Sequence, residues 1–194
     1  MNYVPNDKLA QKAKELGYRA RSVFKLQELD EKFRIIKNGM TVLDLGAAPG
    51  SWLQYTSEKI GTKGLAFGID LTPIEPIADN VITFQEDIFN SDSILQFLNK
   101  NNAPLVHVVL SDLAPKTSGI QDIDQWKSIE LSEAVLKIAD AVLRPKGICV
   151  MKILRGSDFD NFLAETRKTW TLIRATKVKA SRKSSKEIYV VLRK

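Results

Sequence analysis

The chain has 194 residues, 44% of them hydrophobic and 27% charged, and this composition is typical of one soluble α/β domain with a sizeable core. With one cysteine and one histidine, a disulfide framework and a Cys/His metal site are both excluded. The histidine, His107, lies in the apolar run LVHVVL, which disfavours a catalytic triad. No apolar stretch approaches the roughly 18 residues of a membrane span, and the amino terminus lacks a signal or transit pattern. We therefore expect a cytoplasmic protein, or an organellar one if a transit peptide has been removed.

The net charge of +6 is unevenly distributed along the chain. Residues 1–40 carry nine Lys/Arg against five Asp/Glu, residues 41–165 carry ten against seventeen, and residues 166–194 carry ten against one. An acidic middle between two basic ends favours a polyanion-binding surface over faces that are merely solvated, and nucleic acid is the obvious polyanion. A membrane surface is disfavoured because the basic ends lack a strongly apolar helical face. The basic residues expected to hold phosphates include Arg19, Arg21, Lys179, Arg182, Lys183 and Lys186.

Apolar periodicity predicts the elements in chain order. Helical spacing covers residues 6–16 and 19–33, and from residue 41 onward short β-rich runs alternate with helical patterns. The predicted strands are 41–45, 65–69, 81–84, 105–110, 147–153, 172–178 and 188–192, and the predicted helices between them are 51–60, 92–99, 124–143 and 159–169. This alternation indicates an α/β fold with a mostly parallel sheet and helices on both faces. The last two strands can form an antiparallel hairpin.

No repeat, linker or break in composition divides the chain. Residues 1–194 are therefore predicted to form a single domain, with the basic helical segment 1–40 packed on it. In a parallel sheet of this kind, ligands bind outside the carboxyl ends of the strands.

The ends of the first three strands predict an adenosine pocket. The first strand runs into VLDLGAAPGSW, where Gly46 and Gly50 allow a tight turn and a close approach of a ligand to the backbone. This is not the GxGxxG pattern of a pyrophosphate loop, so a nicotinamide dehydrogenase is disfavoured. Asp70 ends the second strand, where a carboxylate can accept from ribose hydroxyls, and Asp87 follows the third strand, where it can read adenine. A pocket for adenosine without a grip on phosphates suggests S-adenosylmethionine as the cofactor.

Four further charged residues are candidates for chemistry. Lys152 interrupts the apolar strand ICVMKIL, a position that costs free energy unless the ammonium reaches a partner. Asp112 ends the preceding strand and is expected to lie beside Lys152. Lys25, on the largely apolar side of the second helix, and Glu187, at the start of the last strand, are either site residues or ordinary surface charges.

These residues stand in motifs that resemble one family. GYRARSVFKL, VLDLGAAPGSW, GIDLTPI, SDLAPKTSG, VMKILRG and SRKSSKEIYVV occur in order and at fitting separations between residues 12 and 192, and together they resemble the FtsJ-type ribosomal RNA 2′-O-methyltransferases. The resemblance implies a Rossmann-like methyltransferase fold, a seven-stranded sheet of order 3-2-1-4-5-7-6 with S-adenosylmethionine across its middle.

The resemblance also implies roles for individual residues. The family's catalytic Lys-Asp-Lys-Glu tetrad falls on Lys25, Asp112, Lys152 and Glu187. Its cofactor contacts fall on Gly50, Trp52, Asp70, Asp87 and Asp112, beside Gly46 of the glycine turn. No metal is indicated.

The leading hypothesis is therefore methylation of a ribose 2′-hydroxyl in large-subunit ribosomal RNA, at a uridine of the peptidyl-transferase A-loop. The expected partner is ribosomal RNA or the large ribosomal subunit, and a monomer is the expected state. Two alternatives stay open. One is a 2′-O-methyltransferase of the tRNA anticodon loop, and the other is a noncatalytic RNA-binding or ribosome assembly factor on the same fold.

Overall fold

In the computed structural model, residues 7–116, 118–182 and 184–194 are described. They form a seven-stranded sheet of order β3-β2-β1-β4-β5-β7-β6 with helices packed against it. The elements, in chain order, are α1 (Lys8–Glu15), α2 (Val23–Phe33), β1 (Thr41–Leu45), α3 (Ser51–Ile60), β2 (Leu65–Asp70), β3 (Val81–Gln85), α4 (Ser91–Lys100), β4 (Val106–Ser111), α5 (Gln121–Val142), β5 (Leu143–Leu154), α6 (Phe159–Thr166), β6 (Thr171–Thr176) and β7 (Glu187–Arg193). The strand order implied by the family resemblance is confirmed.

Strands β1 to β5 pair in parallel, and β7 runs antiparallel to both of its neighbours, β5 and β6. The predicted hairpin at the end of the chain is therefore confirmed. Because β1 and β4 lie at the centre, the carboxyl ends of the middle strands open onto one common edge.

Alternate residues of β5 show how the sheet separates two core layers. Cys149, Met151 and Ile153 pack with residues of α4, α5 and α6 on one face, whereas Val150 packs with residues of α2 and α3 on the other. Side chains alternate along a strand, so Lys152 shares the α2 and α3 face with Val150. Helices on both faces were predicted from the apolar strands, and this prediction is confirmed.

Several boundaries differ from the predicted ones. The long helix begins at Gln121 instead of residue 124, because the Asp124 carboxylate accepts hydrogen bonds from the backbone of Ser118 and Gly119 and fixes the turn that leads into the helix. The second helix begins at Val23 instead of residue 19. The segment before the second helix is held in place by Arg19, whose guanidinium donates to backbone carbonyls elsewhere in the fold.

His107 lies near the start of β4, at the opposite end of that strand from Asp112. Its Nδ1 accepts from the Thr41 backbone N–H at 2.9 Å. Burial lowers the pKa of this histidine, and the charge of Arg144 lowers it further. Its role is structural, as predicted. Among the residues described, no helix combines the length and the apolar character needed to cross a membrane.

Candidate active site

The four residues of the predicted tetrad come together on the α2 and α3 side of the sheet. Lys152 Nζ lies 3.0 Å from Asp112 Oδ1, and Lys25 Nζ lies 3.0 Å from Glu187 Oε2 and 3.8 Å from Asp112 Oδ1. The two lysines and two carboxylates therefore form one connected cluster, which is partly open to solvent.

The strand register explains why these side chains meet. In the parallel pair of β4 and β5, Ser111 lies opposite Met151, so the next residues, Asp112 and Lys152, lie side by side. In the antiparallel pair of β5 and β7, Lys152 lies opposite Tyr189 and Leu154 opposite Glu187. Lys25 reaches the cluster from α2, whose buried residues pack on this face.

Lys152 is only 7% exposed, and a buried ammonium must be paired to be tolerated. Besides its ion pair with the Asp112 carboxylate, Lys152 Nζ donates to the backbone oxygen of Asp112 at 2.5 Å. Two bonds to one residue hold the ammonium at a defined position. The lysine in the apolar strand is therefore a paired site residue, as its sequence context indicated.

Tyr189 completes the cluster, although no sequence pattern had singled it out. Its hydroxyl donates to Asp112 Oδ1 at 2.5 Å. Burial raises the pKa of Tyr189 well above its ordinary value, and the charge of Asp112 raises it further, so the phenol keeps its proton and remains a donor. The signal that could have identified it is the two-residue spacing from Glu187, which puts both side chains on one face of the strand.

Glu187 is held as a carboxylate. Burial alone would raise its pKa, but the charge and hydrogen bond of Lys25, with a further contribution from Lys152, outweigh burial and lower it. Ser181 Oγ donates to the same oxygen, Oε2, at 2.9 Å. The ion pair with Lys25 is therefore maintained well into the acidic range.

A cavity of about 420 Å³ opens at the Lys25–Glu187 pair, and we call it the acceptor cavity. Apart from Glu187, the residues that line it have cationic or hydroxyl side chains. The lining consists of Arg21, Ser22, Lys25, Arg182, Ser184, Ser185 and Glu187. Lys183, which was also expected to hold phosphate, lies outside the residues that the structure describes. Such a lining suits a sugar next to a phosphate backbone.

A second cavity, of about 510 Å³, opens at Asp112, and we call it the cofactor cavity. Gly46, Asp70, Asp87 and Asp112 all line it. The Asp70 carboxylate accepts from the backbone N–H of Ala48 at 2.9 Å, and the structure thus brings the glycine turn and the predicted ribose acid together.

The glycine turn must approach the loop after β4 closely. Gly46 has a φ of +79°, and a Cβ there would lie 2.3 Å from Leu113 Cδ2, so glycine is required at this position on both counts. Gly50, in contrast, does not line the cofactor cavity. A Cβ at Gly50 would meet Ile77 and Ile74, so its role in binding the cofactor stays a prediction.

Trp52 also does not line the cofactor cavity. Its Nε1 donates to the backbone oxygen of Ser22 at 2.8 Å, which ties α3 to the start of α2. It lines a small space of about 50 Å³ together with Asp44, Gly46 and Asp112. Trp52 therefore supports the corner where the two larger cavities approach each other.

Asp44 is the second site residue that sequence reasoning missed. It is 1% exposed, and its Oδ2 has no hydrogen-bond partner among the described residues. Burial raises its pKa well above the ordinary value, and the charges of Asp112 and Asp70 add to the effect. The available signal was a charge inside the apolar strand TVLDL, the same kind of signal that identified Lys152.

The residues present fit S-adenosylmethionine. The orphaned Asp44 oxygen lacks a donor, which the ammonium of the cofactor's methionine part would supply. Asp70 and Asp87 offer acceptors for the ribose and adenine, and the acidic lining as a whole suits a cationic sulfonium. In the three described ranges, no group of three or more His, Cys, Asp or Glu side chains could hold a metal ion.

Among the basic residues, Arg19 is not free to bind phosphate. Its Nη1 donates to the carbonyl oxygens of Pro49 and Glu75 at 3.0 and 2.8 Å, and its Nη2 donates to that of Pro76 at 2.7 Å. The expectation that Arg19 holds phosphates is therefore wrong, because its guanidinium stabilises the fold. Arg21 pairs with Asp7 and donates to the Ala180 oxygen, yet it still lines the acceptor cavity.

Comparison with known proteins identifies the family. Residues 18–194 match the model of the FtsJ-like methyltransferases. The "Ribosomal RNA large subunit methyltransferase E" of Bdellovibrio bacteriovorus is 42% identical over 191 residues, which cover 98% of this chain and 97% of that protein. The protein of the same name from Methanothrix thermoacetophila is 44% identical over 188 residues, covering 97% of this chain and 72% of that protein.

Among solved structures, a crystal structure described as a ribosomal RNA methyltransferase from Plasmodium falciparum aligns with a TM-score of 0.81 at 28% identity, covering 91% of this chain and 97% of that one. Sequence and fold thus agree over nearly the whole chain. The chain therefore belongs to the FtsJ-like methyltransferase family, and its sheet is that of the Rossmann-like methyltransferases.

Proposed function

We propose that this protein transfers a methyl group from S-adenosylmethionine to a ribose 2′-hydroxyl of large-subunit ribosomal RNA, at a uridine of the peptidyl-transferase A-loop. One observation carries the proposal: Asp112 lines an acidic cavity, Lys25 and Glu187 line a basic one, and ion pairs join these three residues and Lys152 into one cluster. The large-subunit names of the relatives support ribosomal RNA as the substrate.

The acidic cavity is assigned to the cofactor. Asp70 would accept from the ribose hydroxyls, Asp87 from the adenine amino group, and Asp44 from the methionine ammonium. When bound, S-adenosylmethionine supplies a methyl group on an already activated sulfonium, so the protein has only to place the acceptor oxygen and to help remove its proton.

We assign to Lys152 the role of contacting the acceptor 2′-hydroxyl. Its Nζ is fixed by two bonds to Asp112, and Asp112 is fixed in turn by the Tyr189 hydroxyl. Orientation of the hydroxyl and handling of its proton are therefore the role we assign to Lys152. The Lys25–Glu187 pair completes the hydrogen bonds around the sugar.

The experiment incubates the protein with tritiated S-adenosylmethionine and, separately, large ribosomal subunits, free ribosomal RNA and tRNA, and maps the label. Label on a 2′-oxygen of large-subunit RNA is expected. Label on the anticodon loop of tRNA would favour the first alternative, and no label on any RNA would favour a noncatalytic assembly factor.

Lys152→Ala tests the site itself. We expect it to abolish transfer while cofactor affinity stays within about tenfold, because the lysine acts on the acceptor and not on the adenosine. Lys168→Ala is the matched control, since that exposed lysine pairs only with Glu165 on α6. A Lys152→Ala protein with near-normal turnover would exclude this assignment.

We also propose that residues 1–194 act as one methyltransferase domain, a monomer in the cytoplasm, with residues 1–40 as part of it. Contacts of α2 with α3 and with β7 support this arrangement. They include the hydrogen bond from Tyr55 to the Asp30 carboxylate at 2.8 Å and the ion pair of Lys25 with Glu187.

A further inference from the structure

A third cavity lies beside the acceptor cavity, and the proposed function does not use it. It measures about 250 Å³, roughly half the volume of the cofactor cavity, and we call it the flanking cavity. Its walls come from the first turns of α5, from the end of β5 and from the segment before β7. Ser184 lines both the flanking cavity and the acceptor cavity, so the two are adjacent.

A buried amide faces this cavity without a partner for its donor. Gln125 is only 4% exposed and lines the cavity. Its Oε1 accepts from Ser157 Oγ at 3.3 Å, whereas its Nε2 has no hydrogen-bond partner within the described part of the chain. Buried hydrogen-bond donors of this kind are rarely left without a partner. The unpaired amide therefore indicates a ligand that supplies an acceptor.

The backbone holds that amide in place. A Cβ at Gly156 would lie 2.0 Å from Gln125 Oε1 and 2.8 Å from Nε2. Glycine therefore lets the segment after β5 run directly against the amide, which restricts the position of the amide beside the cavity. The donor is built into the wall and is not a mobile surface group.

The other polar groups of the flanking cavity indicate which class of ligand fits it. Arg155 and Lys186 contribute positive charge, and Lys186 Nζ is held by Gln121 Oε1 at 2.7 Å. Asp122 contributes an exposed carboxylate to the same lining, which disfavours a bare anion. Asp124 is already occupied, because its carboxylate accepts from Ser118 and Gly119.

The flanking cavity combines a donor, an acceptor and the apolar side chain of Leu154. The donor and acceptor match the edge of a nucleobase, and the apolar side chain matches its face. The two cations match the phosphates of the strand that carries the base. We propose that the flanking cavity binds the base of a nucleotide close in sequence to the methylated one, with Gln125 Nε2 donating to a carbonyl oxygen or ring nitrogen of that base. This inference rests on the proposed function, because it takes RNA as the substrate.

The test uses a set of short ribosomal RNA fragments that contain the target, each with an abasic site at one flanking position. RNA binding and methyl transfer are measured for the natural protein and for Gln125→Met, which keeps the length of the side chain but lacks the donor. We expect one abasic position to weaken binding to the natural protein about tenfold. Gln125→Met should bind the intact fragment more weakly than the natural protein does but should bind that abasic fragment equally well, because without the base Nε2 has nothing to donate to.

Two controls make the result decisive. Gln96→Met, on the exposed side of α4, should bind all fragments like the natural protein. Cofactor affinity should be unchanged in Gln125→Met and the melting temperature should not fall, since the substitution removes an unpaired donor and, besides it, only the 3.3 Å bond from Ser157. Should that variant fail to fold, Gln125→Glu, which also lacks the Nε2 donor, replaces it, and its loss of affinity should shrink when the same position is abasic.

The outcomes separate the two proposals. If the natural protein methylates no ribosomal RNA, the proposed function fails. If it methylates the intact fragment but no abasic position affects binding, or if the effects of Gln125→Met and the abasic site add, the flanking cavity does not hold a base and this inference is overturned.

Discussion

Asp44→Asn is expected to stabilise the cofactor-free protein while weakening cofactor binding. The Asp44 carboxyl is buried, its Oδ2 lacks a partner among the described residues, and Asp70 and Asp112 surround it with negative charge. Asparagine has nearly the same shape and no charge. The substitution therefore removes electrostatic repulsion that protonation of Asp44 or a bound cation would otherwise relieve.

The size of the effect follows from burial. An unsatisfied buried polar group costs roughly 1–3 kcal/mol, and the asparagine amide needs partners of its own, so the lower end, about 1 kcal/mol, is expected. For a chain of this size, that free energy corresponds to a rise in melting temperature of about 2–4 °C. Cofactor affinity should fall about tenfold, because the proposed acceptor for the ammonium loses its charge.

The pH dependence gives a sharper test. The pKa of Asp44 is raised in the folded state, so its favourable contribution to wild-type stability is fully present below the ordinary carboxyl pKa of about 4 and is lost as pH rises through the raised pKa. The gain from Asp44→Asn should therefore be small near pH 4 and grow towards neutral pH.

The assay is thermal unfolding from pH 4 to 8, with and without saturating S-adenosylmethionine. Asp79→Asn, which removes an exposed carboxylate from a turn, is the matched control and should show no such pH dependence. A lower melting temperature of cofactor-free Asp44→Asn at neutral pH, or a gain that does not vary with pH, would refute the reasoning.

The remaining predictions concern the cofactor and the RNA separately. Asp70→Ala and Asp87→Ala should each weaken cofactor binding by roughly tenfold to a hundredfold in calorimetry, because each removes a proposed acceptor, with RNA affinity unchanged; loss of RNA affinity alone would contradict the assignment of the cavity. Arg182→Ala should flatten the slope of log RNA affinity against log salt by about 0.7, the value for one phosphate contact on a single strand. Arg19→Ala should instead lower the melting temperature and leave the slope unchanged, and an equal change of slope in both variants would contradict the structural role of Arg19.

The fold could be predicted because its signals are local. Apart from β2, which leads to β3 without a helix, each strand of the parallel part is an apolar run followed by a helix. The pairing of β4 with β5 is consistent with that alternation. Lys152 was identified from an equally local signal. A charged side chain within an apolar strand costs free energy unless it has a partner, so the sequence already indicated that Lys152 is paired.

What could not be predicted depends on contacts between distant segments. The Tyr189 hydroxyl is a site group only because β7 inserts between β5 and β6, which puts it against Asp112. Arg19 looked like a phosphate ligand because its chemistry is right, but the carbonyls that it binds lie 30 to 57 residues away in sequence. Spacing along β7 puts Tyr189 on the same face as Glu187, but it does not say which distant segment either Tyr189 or Arg19 contacts.

The uneven charge of the chain has a structural cause in this site. The acidic middle supplies Asp44, Asp70, Asp87 and Asp112, which surround the cavity proposed for a cationic cofactor. The basic ends supply Lys25 and most of the acceptor cavity. Lys25 and Glu187 are 162 residues apart in sequence, yet their ion pair lies at the acceptor cavity, and Lys25 also lies 3.8 Å from the Asp112 carboxylate, which lines the cofactor cavity. Charge of each sign is thereby concentrated in a different cavity, so the proposed cationic cofactor and a polyanion would not compete for one surface.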